Sequence, residues 1–286
     1  MVDVGTRRPA NQDHSFRIGV CSWSLGATTP DDLASALGRV GVRKVQLALD
    51  PLRTGHWDEI RTGQVLRTAG VQIVSGMMRM AGEDYSSLES IRRTGGLRPD
   101  ATWSANVQAA RANARIARRL RIPLVTFHAG FIPDQPGPDR RTLIERLRTI
   151  ADIYDDAGVQ VALETGQETA ATLMAALKEL DRPFVGVNFD PANMVLYGMG
   201  NPTDALAQLA HRVLQVHVKD ALPPGKPGEW GDEAVAGSGS VDWIRFFDIL
   251  KREQLSADIV IERESSATRE TEIVRARELI TEHLSK

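Results

Sequence analysis

Four segments of the chain each carry one strong metal-ligating side chain: Glu164 in VALETG, Asp190 in VNFDPAN, His217 in QVHVKD and Glu262 in IVIERE. Three carboxylates and an imidazole form a donor set suited to Mn²⁺, Mg²⁺ or a similar divalent ion, and Co²⁺ or Zn²⁺ would also be tolerated. Taken singly, each residue reads as a capped turn or a surface charge. Their recurrence at equivalent places in four consecutive strand–helix units makes a shared site the better reading. Side-chain parity agrees. Successive residues of a strand face opposite ways, and the neighbours Leu163, Phe189, Val216 and Ile261 are all apolar, as a helix-facing surface requires.

Further residues belong to the same neighbourhood. Lys219 and Glu264 lie two positions beyond His217 and Glu262 and share their inward parity. His128, at the end of the fourth apolar run, could bond a substrate or simply cap the mouth. Asn193, three residues after Asp190, could meet a substrate hydroxyl or make a turn beside Pro191. Arg263 follows Glu262 directly and points the other way if the strand stays regular. At a strand tip, a substrate contact from it stays open. The glycines of GSG at 237–239 resemble a phosphate cradle only weakly. Trp23, Trp57, Trp103 and Trp230 are candidates for an apolar wall over a sugar, whereas Trp243 reads as core.

The elements that must position these groups alternate throughout. Apolar, β-rich runs occur at 17–24, 44–50, 71–80, 124–130, 159–166, 184–193, 214–221 and 257–264, each followed by a helical pattern. Such alternation predicts a parallel sheet with helices outside. Eight units close most naturally as a single (β/α)₈ TIM barrel, whose sites form at the C-terminal ends of the strands. An open doubly wound sheet is the competitor, but no Gly-rich dinucleotide turn follows the first strand. Residues 1–16 read as a flexible lead-in and 17–286 as the barrel. The glycine-containing segment 81–100 is long for a connection and is a candidate lid or substrate loop.

Bulk properties narrow the classes. An apolar fraction of 42% over 286 residues suits a globular protein with ample core. A net charge of −2 supplies no general field for nucleic acid or an anionic membrane. The basic stretch at 111–121 fits the solvated face of an amphipathic helix. No run approaches the roughly 20 apolar residues of a membrane span. The single cysteine, Cys21, precludes an internal disulfide and, with no export signal apparent, leads to the expectation of a cytoplasmic protein.

At ALETG, NFDPAN, QVHVKD, GSGSVDW and IVIERE the chain resembles the xylose-isomerase-like sugar (phosphate) isomerase/epimerase family, over roughly residues 17–284. The resemblance implies that Glu164, Asp190, His217 and Glu262 bind one divalent ion, typically Mn²⁺. It also implies that Glu164 and Glu262 act as acid and base on opposite faces of a sugar. Epimerases of the family usually carry a histidine a few residues after the aspartate of NFDPAN, where this chain has Asn193. No single epimerase specificity therefore carries over. Barrels of this type often pair, so a homo-oligomer is an open expectation.

The chemistry expected is proton transfer beside a carbonyl, through an enediolate stabilised by the ion. Carboxylates on both faces would invert a centre, and one active face would isomerise aldose and ketose. The substrate is expected to be a carbohydrate or keto-polyol, with or without a phosphate. Expulsion of a leaving group from the same intermediate would make the enzyme a lyase or dehydratase acting on a keto-inositol or 3-keto-glycoside. An endonuclease-IV-like phosphodiesterase is a weaker alternative, since the chain has six histidines and no basic surface. A non-catalytic metal-binding barrel is weaker too, because both glutamates are intact.

Overall fold

Alternating apolar residues bounded by turn formers give eight short parallel strands, and these close on themselves. In the computed structural model, which describes residues 18–226, 228–264 and 266–284, the barrel strands are β1 (Ile18–Cys21), β2 (Lys44–Ala48), β3 (Gln72–Met77), β4 (Leu124–Phe127), β5 (Gln160–Glu164), β6 (Val185–Phe189), β7 (Val213–Val218) and β10 (Asp258–Ile261). Each pairs with its neighbours in sequence, and β1 closes the ring against β10. Helices fill the connections and begin where the caps predict. Thr29, Asp58, Thr169, Asn201 and Asp242 each accept a backbone N–H from the first turn that follows. The expected (β/α)₈ barrel is the observed fold. The expected lead-in at 1–16 lies outside the described residues.

The strands are shorter than the apolar runs that encode them. Where 159–166 and 257–264 are β-rich, the ladder covers only Gln160–Glu164 and Asp258–Ile261. The remaining residues leave the sheet at the barrel mouth, where their backbone turns toward helices and their side chains build a site. The FDPAN turn tightens into a helix, Pro191–Tyr197. The Pro/Gly-rich stretch at 222–239 hides a small antiparallel hairpin, β8 (Asp220–Leu222) with β9 (Asp232–Ala234). Three-residue strands are too short to show a period in the sequence.

The outward strand residues, including Leu163, Phe189, Val216 and Ile261, are buried against the helices in one continuous apolar core. The barrel interior differs. Gln46, Ser75, Thr126, Asn188 and Gln215 are at most 1% exposed, a polar filling where branched aliphatics are usual. Buried amides are costly unless paired, and these pair with one another. Gln46 Nε2 donates to Thr126 Oγ1 at 2.8 Å. Gln215 Nε2 donates to Gln46 Oε1 at 3.0 Å and to Asn188 Oδ1 at 3.1 Å, and Ser75 Oγ donates to Gln215 Oε1 at 2.5 Å. The helix Asp100–Leu120 turns Arg111, Arg115, Arg118 and Arg119 to solvent, as its amphipathic pattern predicts. Among the described residues, no helix is long and apolar enough to cross a membrane.

Candidate active site

The strand tips bring the four expected ligands together. Glu164 is the last residue of β5, His217 lies within β7, and Asp190 and Glu262 follow β6 and β10 directly. One donor atom from each lies within 4.8 Å of every other. His217 Nδ1 is 3.3 Å from Asp190 Oδ2, 3.4 Å from Glu262 Oε2 and 3.5 Å from Glu164 Oε1. Metal–ligand bonds of about 2.1 Å place neighbouring ligand atoms roughly 3.0–3.5 Å apart. The donor set therefore fits a small divalent cation, and a nitrogen facing three carboxylate oxygens is itself a place for positive charge. Among the described residues, the other candidate cluster is Cys21 with His217 and Glu262, which shares two members with the first.

Each ligand is held by a second contact. His217 Nε2 meets Gln46 Oε1 at 2.7 Å. Because that oxygen can only accept, Nε2 carries a proton, and Nδ1 is the ring nitrogen that faces the carboxylates. Glu164 accepts from Asn188 Nδ2 at 3.1 Å and from Asn193 Nδ2 at 3.0 Å. Asp190 caps the helix Pro191–Tyr197 by accepting from the Asn193 N–H at 2.9 Å. Glu262 accepts from the Trp23 indole at 2.7 Å and from Lys219 Nζ at 3.0 Å. Asn193 spans the site: its amide nitrogen faces Glu164, and its oxygen accepts from Lys219 Nζ at 3.4 Å.

Burial and charge oppose each other here. Burial raises the pKa of Glu164, but His128 and His217 outweigh it and hold the carboxyl below its ordinary value. At Glu262 burial is again overcome, by Lys219 and His217, and the group is held well below the usual carboxylate range. Burial pushes Asp190 up. For His217 and Lys219 burial opposes the charge, yet Cys21 and the carboxylates around His217, and the carboxylates around Lys219, raise both well above their ordinary values. The result is two ionised glutamates flanking a cation-seeking centre.

Above the ligands lies a cavity of about 540 Å³. Glu164, Glu262, His128, Asn193, Lys219 and Glu264 all reach it, so these expected residues are brought together. His128 Nε2 is 3.6 Å from Glu164 Oε1, and Glu264 Oε1 is 3.6 Å from Lys219 Nζ. Of the tryptophans, Trp23 and Trp230 line the cavity, and Trp230 packs edge-on to Tyr197 with ring centroids 5.0 Å apart. Trp57 is 7% exposed and donates to the Thr28 carbonyl, and Trp103 lies under Arg146. Trp243 is core, as expected.

Arg263 is placed elsewhere. It pairs with Glu233 at 3.0 Å and Glu272 at 2.7 Å and is not among the residues lining the cavity. The ladder ends at Ile261, yet Arg263 keeps the outward side that parity predicts. The GSG glycines cradle no phosphate, because the Gly237 and Gly239 N–H groups donate to Asp220 Oδ2 at 2.9 and 3.0 Å. Sequence reasoning missed Gln46, Glu83 and Asp220. Only Gln46 left a signal, as a lone amide in the apolar run KVQLALD. The segment 81–100 forms a bonded wall. It contains the helix Leu88–Thr94, and Ala81 N–H is anchored to Asn106 Oδ1 at 2.8 Å.

Comparison with known proteins agrees with the fold. The sequence profile of the xylose isomerase-like TIM barrel family matches residues 34–283, and the chain belongs to that family. A xylose isomerase domain protein from Planctomyces limnophilus superposes with a TM-score of 0.82 at 30% identity, over 94% of this chain and 96% of that one. An L-ribulose 3-epimerase shares the fold at 17% identity, with a TM-score of 0.73 over 94% of each chain. An inosose dehydratase from Clostridium botulinum is 26% identical over 43% of this chain and 46% of its own length. The chain matches less than half the length of its curated relatives.

Proposed function

We propose that the protein is a divalent-metal-dependent isomerase or epimerase of an uncharged ketose or keto-polyol. The observation that carries this reading is the placement of Glu164 and Glu262. Both touch the centre around His217 Nδ1, both line the cavity, and they arrive from β5 and β10 on either side of Asp190 and His217. A substrate carbon held between them presents one face to each. Glu164, Asp190, His217 and Glu262 would hold the ion, which when bound polarises a carbonyl oxygen and lowers the cost of removing the proton beside it.

The residues then divide the work. Both glutamates are held ionised, so either can accept the proton, a contribution of about 10²–10⁴-fold. Inversion of the centre needs a solvent-derived proton delivered to the opposite face through the other glutamate, while return of the abstracted proton to the adjacent carbon interconverts aldose and ketose. Lys219 and Asn193 tie the two glutamates into one hydrogen-bonded frame. Trp23 and Trp230 offer aromatic faces to the apolar side of a sugar ring. Five carboxyl groups line the cavity (Asp50, Glu83, Glu164, Glu262, Glu264) against Arg79 and Lys219. With the GSG amides already engaged by Asp220, this lining favours a substrate without a phosphate.

The test is solvent exchange. With Mn²⁺ added, the protein is expected to move deuterium from D₂O into a free ketohexose or a keto-inositol. Glu164→Gln and Glu262→Gln should each slow turnover at least about a hundredfold. Full activity in both variants would remove the acid/base assignment.

A second reading, loss of water from the same intermediate, is favoured by one observation: Glu83, a carboxyl on the cavity wall that burial holds above its ordinary pKa. The similarity to an inosose dehydratase points the same way.

A further inference from the structure

On the side of the ring away from the ligand cluster, the ends of β2 and β3 carry guanidinium groups. β2 runs into the single helical turn Asp50–Arg53, whose sequence DPLR puts a carboxylate and a guanidinium at i and i+3. β3 is followed directly by Met78, Arg79 and Met80. Asp50 joins the two ends. Its Oδ1 accepts from the Arg53 guanidinium, and its Oδ2 accepts from the Arg79 backbone N–H at 3.0 Å. Both carboxylate oxygens are thereby engaged, and most of the guanidinium N–H groups remain to be matched.

Between these strand ends and the helix Asp100–Leu120 lies a second pocket, of about 290 Å³. Arg53, Arg79 and Asp50 form its charged side, two guanidiniums against one carboxylate. Small and apolar residues form the rest, Ala105 and Ala109 among them, one helical turn apart with side chains too short to fill the space. Asp50 and Arg79 also line the larger cavity, so the two spaces share a wall.

Donors outnumber acceptors around this pocket. Arg53 Nε is buried and has no hydrogen-bond partner. The Arg79 guanidinium makes no hydrogen bond or ion pair among the described residues, although its charge is felt by Glu83. Asn106, fully buried on the facing helix, accepts the N–H of Ala81, another lining residue, at 2.8 Å. A backbone N–H can only donate, so the amide oxygen must face it, and Asn106 Nδ2 is left buried without a partner. Buried donors left unpaired are uncommon and costly. Arg53, Arg79 and Asn106 are all short of an acceptor, and the lining carries surplus positive charge. Both deficits are met by a ligand made of acceptor oxygens.

We propose that this side pocket binds a small oxyanion, of the phosphate or carboxylate class, as a second ligand beside the uncharged substrate. The Arg53 and Arg79 guanidiniums supply charge-assisted hydrogen bonds to it, Arg79 turning from the shared wall toward the pocket. None of the pocket's residues belongs to the metal-ligating cluster, so the site stands apart from the metal reading.

The experiment titrates inorganic phosphate calorimetrically into the full chain at constant ionic strength, once with Mn²⁺ and once with EDTA. Saturable binding of equal affinity is expected in both. Arg53→Gln and Arg79→Gln should each weaken it by about tenfold or more, the worth of a charge-assisted hydrogen bond. Ala105→Glu, at an exposed helix position on the pocket wall, supplies the missing acceptor from within the chain and should abolish phosphate binding. Binding that appears only with Mn²⁺ assigns the anion to the metal centre and overturns the inference. A ketose phosphate that binds more tightly than inorganic phosphate, and loses that advantage in His217→Ala, assigns the anion to the substrate's own tail and overturns the second ligand. No saturable binding, or unchanged affinity in all three pocket variants, overturns the site itself. Neither of these last results touches the isomerase reading, which deuterium exchange reports separately.

Discussion

At His217 one ring nitrogen is committed to Gln46 and the other to the carboxylates, and the first contact decides the second. Gln46 reaches the ring from β2, on the far side of the barrel, and is fully buried. Removing a partner that fixes the tautomer of a metal-ligating histidine typically costs 10–100-fold in affinity. Gln46→Leu should weaken Mn²⁺ or Zn²⁺ binding by about that factor in a calorimetric titration, and unchanged affinity would show that the ring orients itself. The four-residue cluster was legible from residue type and parity, both of which act along a single strand. Gln46 was not, because its partner lies 171 positions away. Glu83 was hidden for a related reason: what distinguishes it from a surface glutamate is its place in the cavity wall, which a turn sequence does not encode.

At the scale of elements, the barrel-mouth turns carry as much organisation as the strands. Asp220 is 1% exposed and accepts from the N–H groups of Ala221, Gly237, Gly239 and Val241 and from the Trp243 indole. It thereby fastens the β8–β9 hairpin, the GSG turn and the start of the helix Trp243–Arg252 to the end of β7. Asp220→Ala would orphan several buried donors and should cost about 2–4 kcal/mol. Urea unfolding would measure it, and a loss near zero would mean that water replaces the carboxylate. Strand and helix order was legible because each apolar period spans enough residues to repeat. The hairpin was not, since it depends on one carboxylate gathering distant amides.

At the scale of the whole molecule, the four clustered side chains come from four neighbouring strands, so an ion bound among them would tie one half of the ring together. A ligand present at a hundred times its Kd adds about 2.7 kcal/mol to stability, which for a chain of this size corresponds to roughly 5 °C in Tm. Mn²⁺ should raise Tm by about that amount and EDTA should reverse it. His217→Ala should not respond. A wild-type Tm indifferent to divalent ions would count against the metal reading. The closed barrel was legible because eight alternating units leave few ways to bury both faces of a parallel sheet. The polar barrel interior was not, because each amide looked isolated within its own apolar run.

Lys219 and Asp220 are adjacent yet serve opposite sides of the chain, one facing the ligands and the other gathering the hairpin that brings Trp230 over the cavity. The roof is thus fastened beside the centre, by Asp220 and by the pairing of Glu233 with Arg263, rather than woven into it. Hairpins of other lengths could be grafted between Asp220 and Gly237 to redraw substrate preference while the ion-holding frame is left as it stands.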